Sequence, residues 1–213
     1  MINFEVLKQI SKNLEHTSYE DILRLLEELE ISYIMTFNIP KGTLISRIRP
    51  SERKPYCKES QISYNPNPEN YGRANKPNEP IFYGSIQGPG MLNSLDTNVW
   101  EWLNILNSKP LNKIDFPLSF TSGFWEIQSD LPTIPIIYNN VSKEKTKLFD
   151  SLLENYEKHS GVTELSSKII EFLANEYSKV DINSPNDYKL TAAFSELIRT
   201  RIGKKYHQFF IRA

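Results

Sequence analysis

Apolar positions recur at helical spacing near both ends of the chain and at strand spacing through its middle. Residues ~4–13 form a short amphipathic segment. Thr17-Ser18-Tyr19-Glu20-Asp21 then reads as a helix start, because a hydroxyl and first-turn carboxylates satisfy the exposed N–H groups there. Ile22, Leu25, Leu26 and Leu29 follow at i, i+3, i+4 and i+7, so they share one stripe, with Glu27, Glu28 and Glu30 opposite. This predicts a helical cap over residues 1–40, packed beside a main sheet, with partner docking as the alternative use of the same stripe. Ile39-Pro40-Lys41-Gly42 breaks the period, and residues 41–213 are expected to form the larger domain.

The middle reads differently. A strand is expected over ~43–49, then a long polar loop from Pro50 to Tyr71 with Pro55, Pro66 and Pro68 fixing its turns. Gly72 permits a tight turn or a close approach to a ligand. Ile81-Phe82-Tyr83 is apolar on both faces and predicts a strand covered on both sides. After the breaker Gln87-Gly88-Pro89-Gly90, Asp96 caps a helix over ~97–107 whose stripe is Val99, Trp102, Leu103 and Leu106. Glu101 lies off that stripe, facing either a cleft, since Trp100 and Ile105 spread apolar surface around the helix, or bulk water. Leu118 to Gln128 gives one or two strands around Gly123, and Ile134 to Tyr138 a shorter one. Three helical patterns close the chain at ~143–158, ~163–178 (Leu165, Ile169, Phe172, Leu173) and ~186–201 (Leu190, Phe194, Leu197, Ile198). A β-rich middle between helix-rich ends makes the fold class α+β.

Composition narrows the function. The 213 residues carry 25 basic against 26 acidic side chains, a net charge of −1, so no polybasic footprint points to nucleic acid or anionic lipid. No apolar run reaches the ~18 residues of a spanning helix, and Met1-Ile2-Asn3-Phe4-Glu5 lacks the pattern of a signal peptide. With Cys57 as the one cysteine, an intrachain disulfide is impossible and a reducing cytoplasm is the expected setting. His16, His159 and His207 have no cysteine or paired carboxylate at ligand spacing, so a metal site is not expected.

Against that neutral background Arg47, Arg49 and Arg73 fall close to two predicted strands. Guanidinium forks suit phosphate or carboxylate, which makes a local anion site one reading; ordinary solvated arginines are the other. Arg47-Ile48-Arg49, then Gly72-Arg73-Ala74-Asn75 leading into Ile81-Phe82-Tyr83-Gly84-Ser85, resembles the RES domain family, which is named for its Arg, Glu and Ser. Glu171-Phe172-Leu173-Ala174-Asn175-Glu176-Tyr177 and Asp187-Tyr188-Lys189-Leu190-Thr191-Ala192 are similar to the family's C-terminal helices, so the likeness spans roughly residues 43–200. RES proteins are best known as bacterial toxins that destroy NAD and are restrained by an antitoxin.

The resemblance implies a mixed, twisted sheet with a cleft, of the ADP-ribosyltransferase-like kind, flanked by helices. It also implies NAD as substrate, an antitoxin protein as partner, and cleavage of the nicotinamide–ribose bond. By this likeness Arg47, Tyr83 and Glu101 are the catalytic candidates, and Arg47, Arg73, Asn75 and Tyr83 the NAD-binding ones. Bond cleavage passes through an oxocarbenium-like sugar cation, which calls for a guanidinium on the pyrophosphate or ribose, a ring against nicotinamide, and a carboxylate near the developing charge. The family's closing Tyr-Pro-Ser is absent from Gly203-Lys204-Lys205-Tyr206-His207-Gln208-Phe209-Phe210-Ile211-Arg212-Ala213, so the strand that carries it is expected to be missing or replaced. That departure keeps an inactive NAD- or ADP-ribose-binding domain as the alternative, with a protein-interaction module built on residues 18–30 as a third reading.

Overall fold

The computed structural model describes residues 4–28, 37–51, 54–87, 98–99, 119–136, 154, 164–179, 182–202 and 207–210. The expected helix at ~97–107 lies outside these apart from Asn98 and Val99, and the one at ~143–158 apart from Glu154. The architecture is α+β. Its contacts divide it into two units, one of residues 1–38, 68–79 and 132–213 and the other of residues 39–67 and 80–131.

The first unit is built on helices. α1 (Phe4–Ser11) and α2 (Tyr19–Glu27) come from the N-terminal segment, α4 (Glu164–Ser178) and α5 (Lys189–Ile202) from the C-terminal one. Ser18 caps α2 as its sequence predicts, its Oγ accepting the Asp21 N–H at 3.1 Å. Leu7, Ile22 and Leu26 of the first pair bury with Ile169, Leu173, Leu190, Phe194, Leu197 and Ile198 of the second, so all four helices share one core. α5 is buried beyond its apolar stripe: Thr191 and Ser195 are 0% exposed. Thr191 Oγ1 donates to Tyr188 O at 3.1 Å, while the Tyr177 hydroxyl donates to Thr191 O at 2.8 Å and lies 2.7 Å from Ser195 Oγ. A sheet completes this unit in the order β1 (Phe37–Ile39), β5 (Leu131–Ile136), β6 (His207–Phe210). β6 runs parallel to β5, with Thr133 opposite His207 and Ile136 opposite Phe210. A strand therefore does form in the C-terminal segment, with His-Gln-Phe-Phe as its sequence.

The loop 68–79 is fastened to this helical core by charge. Lys76 Nζ binds both oxygens of Glu196 at 2.9 and 2.8 Å, Tyr19 Oη donates to the same carboxylate at 2.7 Å, and Arg199 Nη2 pairs with Glu79 at 2.8 Å. Burial would raise the Glu196 carboxyl, but the Lys76 and Tyr19 hydrogen bonds and the neighbouring cations outweigh it and hold the group below the usual carboxylate range. Tyr71 stacks on Tyr19, with ring centroids 5.6 Å apart.

The second unit holds an antiparallel sheet in the order β3 (Ser85–Gln87), β2 (Leu44–Ser51), β4 (Ser119–Glu126). β2 and β4 pair along their whole length, from Leu44 opposite Glu126 to Ser51 opposite Ser119. β3 covers only Leu44 to Ser46, so beyond Ser46 that side of β2 has no strand beside it among the described residues. Pro50 is tolerated there because a missing N–H costs nothing on an unpaired edge. The same short pairing corrects one expectation. Residues 81–84 are irregular and Phe82 is 37% exposed, so Ile81-Phe82-Tyr83 is not a strand covered on both sides. Just beyond the end of the ladder at Ser85, the Tyr83 carbonyl accepts from Arg47 Nη1 at 2.9 Å.

Candidate functional site

Alternation along β2 and β4 puts Ile45, Arg47, Arg49 and Ser51 on one face of the sheet, together with Ser119, Thr121, Gly123 and Trp125. Arg47 stands opposite Gly123, so the arginine stem meets a position with no side chain. The short helix α3 (Glu59–Ile62) lies over this face: Ile62 Cγ2 would be 3.3 Å from a Cβ on Gly123. Tyr56 N–H donates to Thr121 Oγ1 at 2.9 Å, and Gln61 Oε1 accepts from the N–H groups of Cys57 and Lys58, which closes the loop 54–63 on itself.

Arg47 and Arg49 have parallel surroundings. Each gives one nitrogen to a backbone carbonyl, Arg47 to Tyr83 O at 2.9 Å and Arg49 to Gln61 O at 2.6 Å. Each also stands near a ring, Arg47 at 5.7 Å from the Phe82 centroid and Arg49 at 5.3 Å from that of Tyr56. No carboxylate pairs with either among the described residues. Arg47 Nε is buried and has no hydrogen-bond partner. Burial, and then the like charge of Arg49, pull the Arg47 guanidinium below its ordinary pKa, while the Tyr83 phenol acts in the other direction. Leaving a buried donor unmatched costs roughly 1–3 kcal/mol, and more on a charged group.

One ring adjoins this cation, and a second adjoins that ring. Phe82 meets Trp125 edge to face, centroids 4.9 Å apart at 76°. Trp125 Nε1 in turn donates to Glu59 Oε1 at 3.1 Å, which pins the indole. Glycines seat both rings. A Cβ on Gly84 would lie 2.7 Å from Phe82 Cε1 and 2.6 Å from Ile45 Cγ2; one on Gly123 would lie 2.5 Å from Trp125 Cη2. Sequence reading singled out neither ring as functional.

The five sequence candidates fall into three groups. Arg47 and Tyr83 meet in the second unit through the hydrogen bond above. Arg73 and Asn75 belong to the first unit. There Arg73 donates to the carbonyls of Tyr177 and, at 3.1 Å, Lys179 at the C-terminal end of α4, and its guanidinium lies 5.5 Å from the Tyr188 ring. Cations suit that end of a helix, where carbonyls are left over. Asn75 is buried; its Nδ2 donates to Lys76 O at 3.1 Å and its own carbonyl accepts from Gly72 N–H at 2.9 Å, so Gly72 to Asn75 is a closed turn. Glu101 lies outside the described residues. Asn98, three positions before it, bonds to Ser46 Oγ at 2.9 Å and accepts from Ser85 Oγ at 2.7 Å, on the face of β2 away from Arg47.

Among the described residues no cluster of His, Cys, Asp and Glu could hold a metal ion, and no helix is long and apolar enough to cross a membrane. Compared with family models, curated proteins and solved structures, the chain finds no significant match.

Proposed function

We propose that this chain is an NAD-degrading enzyme of the RES type, cleaving the nicotinamide–ribose bond with water, phosphate or a protein side chain as acceptor. The observation that carries the reading is Arg47: a half-buried guanidinium with no acidic partner among the described residues and with Tyr83 beside it. The pyrophosphate of NAD would supply the missing negative charge, and Tyr83 a ring for the nicotinamide end. Glu101 would stand near the sugar cation, where preorganised negative charge is worth on the order of 10²–10³ in rate. In this reading the sheet belongs to an ADP-ribosyltransferase-like cleft, the protein acts in the cytoplasm of a bacterium, and an antitoxin protein restrains it.

A second reading, an inactive NAD- or ADP-ribose-binding domain, is favoured by one observation. The C-terminal strand reads His207-Gln208-Phe209-Phe210 and offers no hydroxyl in place of the family's serine. One experiment separates the two. Purified protein incubated with NAD is expected to release nicotinamide, and the Arg47→Met and Glu101→Gln variants to lose that release. Binding of NAD by wild type without turnover selects the second reading, and neither binding nor turnover removes both.

A further inference from the structure

We infer that Phe82 is the residue that selects for a base-bearing ligand: its ring is a stacking platform for the heterocycle of a nucleotide whose phosphates lie on Arg47. The inference rests on the anion-binding part of the function proposed above and adds the specificity element.

Phe82 is an unusual exposed aromatic. It is 37% exposed, its ring is abutted by Trp125 at 4.9 Å, and its edge lies against Gly84, where any Cβ would be 2.7 Å from Cε1. Trp125 is fixed in turn by Glu59 through its indole N–H. A residue more than a third exposed, held edge to face by an indole that a carboxylate fixes, presents its open surface in one orientation. Isolated exposed aromatics are ordinary, but this one lies 5.7 Å from a half-buried guanidinium with no acidic partner among the described residues. A flat π surface beside an unmatched cation fits a flat heterocycle carried on an anion. A bare phosphate or carboxylate would use only the arginine, and an uncharged aromatic only the ring. Stacking on one aromatic tolerates any base, so the class is nucleotides rather than one base.

The test titrates the full-length protein with ADP-ribose and, separately, with inorganic pyrophosphate, by calorimetry. Phe82→Ala is expected to weaken ADP-ribose on the order of tenfold and to leave pyrophosphate within twofold of wild type. Phe82→Trp is expected to bind ADP-ribose as wild type does or more tightly, which separates loss of stacking from a folding defect. Equal ADP-ribose affinity in Phe82→Ala and wild type overturns the inference and leaves the proposed function standing. So does a parallel loss of both ligands, which would mark Phe82 as a prop for Arg47. Selective loss of ADP-ribose in a protein that releases no nicotinamide upholds the inference and removes the enzymatic reading. Failure of wild type to bind either ligand overturns both.

Discussion

Replacing Arg47 by methionine keeps a stem of similar length and deletes the charge, and its two consequences are expected to diverge. On the stability side, the variant loses a charge-assisted hydrogen bond to Tyr83 O, about 1.5–3 kcal/mol, and a cation–π contact with Phe82, about 0.5–1 kcal/mol. Against this, it removes a buried Nε that has no acceptor, a cost of about 1–3 kcal/mol, and the repulsion from Arg49. The opposing contributions nearly cancel, so stability should change by no more than about 1 kcal/mol. On the ligand side, nothing cancels. Loss of a desolvated partner for a phosphate costs about 2 kcal/mol or more, which is roughly 30-fold in affinity. Urea unfolding followed by circular dichroism gives the first quantity, and calorimetric titration with ADP-ribose the second. A stability loss above about 3 kcal/mol would show that the guanidinium is a structural tie, and the case for a held-open anion receptor would fail with it.

The first unit offers two independent checks. Burial, the hydrogen bond to Glu196 and its charge push the Tyr19 phenol above its ordinary value of about 10. Since the folded state resists ionisation, the contribution is fully present below pH 10 and is lost as the pH rises past it, where the unfolded chain ionises first. A Tyr19→Phe variant should therefore show a flatter alkaline limb in its unfolding free energy, and a limb identical to wild type would contradict the assignment. Arg73→Met removes both donors from the end of α4 and is expected to cost about 1–3 kcal/mol in urea titration; a neutral result would release Arg73 from its helix-end role.

Periodicity made the helices legible. Ser18 as the cap, Ile22 and Leu26 as core, and the stripes of α4 and α5 follow from spacing, because a helix end and a buried stripe are local properties. β2 was legible from Leu44 onward; over 118–128 the sequence leaves one or two strands open, and the structure has one continuous strand through Gly123. Ile81-Phe82-Tyr83 misled because an apolar run cannot report that the Tyr83 carbonyl accepts from Arg47, distant in sequence. The burial of Ser195 was likewise hidden, since its partner is Tyr177 on another helix. Of the site, the arginine and its tyrosine neighbour were readable as residue types near two strands. The rings of Phe82 and Trp125 were not, because their braced exposure depends on which glycines they lie over.

The parallel pairing of Thr133–Ile136 with His207–Phe210 has a kinetic corollary. Two short segments far apart along the polymer must meet before their amides and carbonyls can be exchanged, so loop entropy is spent ahead of any reward. The α4–α5 pair, close together along the chain, needs no such rendezvous and is expected to organise first, with this ladder forming afterwards. In pulse-labelling hydrogen exchange, amides of residues 207–210 should gain protection after those of Ile169 and Leu173.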